Sequence, residues 1–96
     1  MNQFFEALGQ DWVDAARTRG AEIAKPELDS RVALELLELA RVAAHTQERR
    51  FAPLTCYLAG VAAERLREAE PLDADGVAAF ILEVRQKLEA EYPRPT

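Results

Sequence analysis

His45, Arg49, Arg50, Thr55, Cys56 and Tyr57 are the residues of this chain whose types and spacing could do chemistry. An imidazole can act as a general acid or base near neutral pH, or face an anion. Two guanidinium groups just before a helix N-terminus could hold a phosphate or carboxylate, with the Thr55 hydroxyl as a further donor and Tyr57 beside it. The Cys56 thiol could be a nucleophile with His45 as its base. These residues fall in one run, His-Thr-Gln-Glu-Arg-Arg-Phe-Ala-Pro-Leu-Thr-Cys-Tyr-Leu-Ala-Gly from His45 to Gly60, and Pro53 to Ala62 carry no charge.

Each has a plainer reading. His45 falls at a helix C-terminus, where the helix dipole favours an imidazolium. Arg49 and Arg50 sit beside Glu48, and loop arginines usually pair with carboxylates or solvent. No glycine-rich phosphate loop accompanies them. Cys56 is flanked by Leu54, Tyr57 and Leu58, which favours a buried, inert thiol, although a place in the first helical turn would lower its pKa. Trp12 and Tyr57 read as core rings rather than stacking platforms. The acidic residues are scattered, and no pair reads as a catalytic dyad. One Cys and one His cannot make a structural zinc site. The reading is therefore a non-enzyme with no metal and no cofactor.

The elements that must position these groups are four helices. The first covers about residues 3–19. The 3.6-residue period puts Phe4, Phe5, Leu8, Trp12, Ala15 and Ala16 on its core side. Gly20 is its C-terminal stop. Gly9 weakens its middle by up to about 1 kcal/mol, so the helix is either frayed or closely packed there. The second helix starts with Pro26 in its first turn or with Asp29 as its N-cap, and runs to about residues 44–46. Its apolar face includes Val32, Leu36, Leu37, Leu39 and Ala43. Arg31, Glu35, Glu38, Arg41 and His45 form a polar stripe, in which Arg31–Glu35 and Glu38–Arg41 are spaced for ion pairs. Leu34 and Val42 fall inside that stripe. The third helix spans about 53–68 and begins apolar all round, the pattern of a buried central helix. Gly60 inside it is unfavourable unless a neighbouring backbone approaches. Asp73 or Asp75 caps the fourth helix, whose core stripe is Val77, Phe80, Ile81, Val84 and Leu88, and Pro93 and Pro95 end it. Connections of about six to eight residues favour antiparallel neighbours.

Size and composition bound the rest. Ninety-six residues make a single domain, 1–96, with a modest core. Hydrophobic residues are 49% and charged residues 30%, an ordinary globular balance. A net charge of −5 argues against nucleic acid as a partner. No basic leader or apolar run of membrane-spanning length is present, and the lone cysteine fits a reducing cytoplasm.

The segments Leu37-Glu-Leu-Ala-Arg-Val-Ala-Ala-His45, Arg49-Arg-Phe-Ala-Pro-Leu-Thr55 and Leu58-Ala-Gly60, with Trp12 near the start, resemble the core of a small bacterial domain family catalogued as a domain of unknown function. The specific part of the resemblance lies in about residues 36–63. Some members are fused or adjacent to the nucleotidyltransferase that attaches GMP to molybdopterin. The resemblance implies an accessory role in molybdenum cofactor metabolism and assigns no catalytic residue.

The expectation is an all-α, compact four-helix domain, antiparallel and bundle-like, with the third helix (about 53–68) central. Its function is read as a cytoplasmic accessory module that binds another protein or itself, with no nucleic acid and no membrane as partner. The alternative is a small-anion-binding domain, for a phosphate or nucleotide-like group, using His45, Arg49, Arg50, Thr55 and Tyr57. A homodimer would hide Leu34, Val42 or Leu82.

Overall fold

The computed structural model describes residues 2–92. It contains α1 (Gln3–Thr18), α2 (Ser30–Thr46), α3 (Phe51–Ala69) and α4 (Ala74–Glu91), and no strand among the described residues. The all-α class and the four helices are as expected. Pro93 and Pro95, the expected stop of the fourth helix, lie outside the described residues. The contacts divide the chain into two units, one up to Ser30 and one from Arg31 onward.

In the first unit, Asn2 caps α1 by accepting the Phe5 N–H at 3.2 Å. The helix closes on glycine: Gly20 takes φ +80°, its N–H donates to Arg17 O, and the Ala21 N–H donates to Ala16 O. That pair of bonds satisfies carbonyls the helix leaves open, and it needs a left-handed residue after the last turn. The chain then returns along α1. Lys25 Nζ donates to Glu6 Oε2 at 2.8 Å, and the Pro26 carbonyl oxygen would lie 2.7 Å from a Cβ at position 9. Gly9 is thus the closely packed glycine, because backbone crosses where a side chain would stand. Only Gly9 and Val13 of α1 are buried. Phe4, Phe5, Leu8 and Trp12 are exposed, so the expected core side of this helix is corrected.

In the second unit, Leu39 of α2, Ala63 of α3, and Val77 and Ile81 of α4 form the core, with Val32, Leu36, Ala59, Leu72 and Leu88 against it. Helices α2 and α4 run the same way. Arg31 meets Asp75 at 2.7 Å near both starts, and Arg85 Nη2 reaches Glu35 Oε1 at 3.4 Å further along. Arg85 also holds Glu89 at 2.6 Å, and Arg41 binds Glu38 at 2.8 Å. Asp73 caps α4 by accepting the Gly76 N–H at 2.8 Å.

Three packing expectations are corrected here. First, α3 starts at Phe51 rather than Pro53, because a proline in the first turn has no N–H to leave unsatisfied. Second, α3 buries only Ala63. Its small residues Ala59 and Ala63, with Thr55 and Cys56, are turned toward the unit, whereas Leu54, Tyr57 and Leu58 point away at 61%, 72% and 66% exposure. The two neighbouring helices of this unit cover one side of α3, and an apolar run that circles the helix needs more than that. Third, Val42 is 3% exposed and is no candidate for a dimer surface, while Leu37, expected in the core, is 70% exposed.

Candidate functional site

The corner expected to hold an anion lies between α2 and α3. His45 sits in the last turn of α2, and its side chain is exposed. Arg49 and Arg50 are exposed in the link that follows. Arg50 is the N-cap residue of α3 with no side-chain cap bond, and its Nε lies 3.4 Å from Glu48 Oε1. The backbone donors of this helix start are already engaged. Phe51 N–H donates to Glu48 O at 3.0 Å and Ala52 N–H to Arg49 O at 3.1 Å. Pro53 has no N–H. Thr55 spends its hydroxyl on Phe51 O at 2.8 Å. Two exposed guanidinium groups therefore face solvent here without the free amides that make a helix N-terminus an anion trap.

Cys56 lies in the second turn of α3, past the part of the helix where the dipole would lower its pKa. Its thiol donates to the Leu36 carbonyl of α2 at 3.6 Å, and burial pushes its pKa up. Both features hold the sulfur as a thiol, the weakly nucleophilic form. The sequence expectation of a lowered pKa is corrected on this ground. Among the described residues, no group of three or more His, Cys, Asp or Glu side chains is placed to hold a metal ion. No described helix is long and apolar enough to cross a membrane.

A cleft of about 230 Å³ opens between α3 and α4, bordered by Leu39, Leu58, Phe80, Val84 and Leu88. Its polar lining residue is Thr55, whose hydroxyl is used within α3. Ligand sites are generally larger and carry converging polar groups, so this cleft offers contact without chemistry.

The surface with most to offer is the outer face of α3. Leu54 and Tyr57 project into solvent, with Val61 half-buried one turn on. Between them Gly60 opens a shallow hollow bordered by Tyr57, Val61, Glu64 and Glu68. Nothing stands within 4 Å of where a Cβ at position 60 would be. At 100° per residue, positions 50, 54, 57, 61, 64 and 68 fall in one arc of the helix. The strip is therefore apolar in its middle, with Arg50 at one end and Glu64, Arg67 and Glu68 at the other. Arg50 and Tyr57 are shared with the expected corner, and both belong to this strip. The strip was missed because an all-round apolar helix reads as buried. The alternating three- and four-residue spacing from Arg50 to Glu68 was the available signal.

Fold and surface define a small all-helical protein whose most distinctive feature is an uncovered apolar helix face. The chain belongs to the family described as a domain of unknown function (DUF6457), whose model matches residues 6–94. No curated protein and no solved structure matches it.

Proposed function

We propose that this domain is a non-catalytic docking module that binds another protein through the outer face of α3. The observation that carries this reading is the solvent exposure of Leu54 and Tyr57 on successive turns of one helix, with the exposed Leu58 beside Tyr57. Large apolar side chains rimmed by charge are the usual signature of a protein-binding surface. Anchors at i, i+3, i+4 and i+7 are the pattern with which a helix engages an apolar groove or another helix. Glu48, Arg49 and Arg50 rim one end, and Glu64, Arg65, Arg67, Glu68 and Glu70 rim the other. The cytoplasm is the compartment we propose, on the single unpaired Cys56. An accessory role in molybdenum cofactor metabolism is proposed on the resemblance alone.

The test is a photo-crosslinking amino acid placed at Tyr57 in the cells the protein comes from, with the exposed Lys87 of α4 as the control position. A discrete protein adduct from position 57 and none from position 87 is the expected result. No adduct from position 57 above that from position 87 removes the reading.

The small-anion alternative keeps His45, Arg49, Arg50, Thr55 and Tyr57 as its residues. It draws on the exposed arginines and on nothing from the engaged amides. Its check is a thermal-shift series with inorganic phosphate on the native chain and on Arg50→Ala. A rise in melting temperature confined to the native chain supports it.

A further inference from the structure

We infer that the occupant of the α3 strip is a second copy of this chain, packed antiparallel along α3, with each Tyr57 seated in the hollow over the other copy's Gly60 and each Arg50 facing the other's Glu68. This rests on the docking reading above and names its partner. Three observations carry it.

The first is the seam itself. Positions 50, 54, 57, 61, 64 and 68 repeat with the alternating four and three spacing that lets two helices interlock side by side. In an antiparallel pair, facing positions add to a constant. When Tyr57 faces Val61, Leu54 faces Glu64 and Arg50 faces Glu68, and each pairing occurs twice by the two-fold symmetry of a homodimer. The apolar layers then lie at the centre and the opposite charges at both ends. Glu64 already ion-pairs with Arg67 of its own helix, so its stem can lie beside Leu54 with its charge answered.

The second is the hollow. A knob on one helix enters a hole framed by four residues of the other, at i, i+3, i+4 and i+7. Tyr57, Gly60, Val61 and Glu64 have that spacing and border the observed hollow. A side chain at position 60 would fill it. Glycine in a helix interior costs about 1 kcal/mol relative to alanine, and no neighbour of its own chain stands within 4 Å to explain it. A tyrosine ring from a second copy supplies the reason.

The third is charge complementarity. The start of α3 carries the exposed Arg49 and Arg50 against Glu48, which lies 3.4 Å from Arg50, one positive charge in excess, together with the positive end of the helix dipole. Its end carries Glu64, Glu68 and Glu70 against Arg65 and Arg67, one negative charge in excess, with the negative end of the dipole. Antiparallel pairing sets each start against the other copy's end. Parallel pairing would set like against like.

The experiment is sedimentation velocity of the full chain over about 10 μM to about 1 mM, the span that brackets a small interface. The native chain is expected to shift from monomer to dimer. Gly60→Leu, at an exposed position with open space, is expected to stay helical by circular dichroism and to remain a monomer. Arg50→Glu and Glu68→Arg are each expected to weaken pairing at least about tenfold. An equimolar mixture of those two variants is expected to regain the dimer, because both ends then pair opposite charges. A native chain that stays monomeric throughout overturns the inference, and crosslinking at position 57 then decides the docking reading independently. A dimer that survives Gly60→Leu, or a mixture no tighter than either variant alone, overturns the register. If Gly60→Leu loses its helicity, the charge-swap mixture decides alone.

Discussion

Gly9 and Gly60 occupy the interiors of two helices, yet alanine at the two positions should act in opposite directions. At Gly60 the new methyl meets nothing within 4 Å. The substitution then gains the helix propensity difference, about 0.8–1.0 kcal/mol, part of it from the narrower unfolded ensemble. At Gly9 the same propensity gain is opposed. The methyl would stand 2.7 Å from the Pro26 carbonyl oxygen and 3.3 Å from Lys25 Cγ. The first contact is to backbone, which yields only if the 25–26 segment lifts off α1, and Lys25 is tied there to Glu6 at 2.8 Å. Overpacking of this kind costs about 1–3 kcal/mol, which exceeds the propensity gain. The expected outcome is a stabilisation of about 1 kcal/mol for Gly60→Ala and a loss of about 1 kcal/mol for Gly9→Ala. In a domain of this size that is roughly 4–8 °C upward for the first and a similar shift downward for the second. Urea melts by circular dichroism read the first, at a protein concentration where any pairing is dissociated. Trp12 fluorescence reads the second, since Trp12 lies in the same unit as Gly9. A Gly9→Ala chain more stable than the parent would refute the close backbone approach. A Gly60→Ala chain less stable than the parent would refute the open surface at α3.

The remaining predictions concern ion pairs, the thiol and the core. Arg85→Ala removes the cation that reaches both Glu35 and Glu89 from a mostly buried position. We expect a loss of about 1–3 kcal/mol in urea denaturation, partly recovered in the double variant with Glu35→Ala, and additive losses would sink the coupling. Cys56 carries a raised pKa through burial, so alkylation in the native state should stay slow until pH rises above the ordinary thiol range and should become fast on unfolding. Equal rates in both states would contradict the burial. Glu6 is held below the usual carboxylate range by its hydrogen bond to and charge attraction from Lys25. A depressed folded pKa stabilises above the unfolded carboxylate range, and that contribution disappears as pH falls through the folded value. Lys25→Met should move the Glu6 titration back up by NMR, and an unmoved titration would remove the ion pair as its cause. Leu39→Ala, at the centre of the second unit, should cost about 2–5 kcal/mol in the same melts. A loss below about 1 kcal/mol would mean that this core is not where the unit draws its stability.

The local signals in the chain determined most of the helix architecture. Gly20 and Asp73 act on backbone within a few residues of themselves, so the C-terminal end of α1 and the start of α4 were legible before any packing was known. The same holds for the i,i+3 pair Glu38–Arg41. Arg31 reaching Asp75 and Arg85 reaching Glu35 were not legible, because each joins side chains on different helices and depends on how α2 and α4 lie together. The candidate site divides the same way. Periodicity marked Pro53 to Ala62 as apolar, but it could not say which neighbour would cover it. Tertiary structure turned Ala59, Ala63 and Cys56 inward and left Leu54, Tyr57 and Leu58 in solvent. The amides that a helix start offers an anion are engaged locally, by the turn from Glu48 to Ala52. Hydrophobicity is a property each residue carries along the chain, whereas burial depends on how many other helices reach it, and only the packed molecule supplies that number.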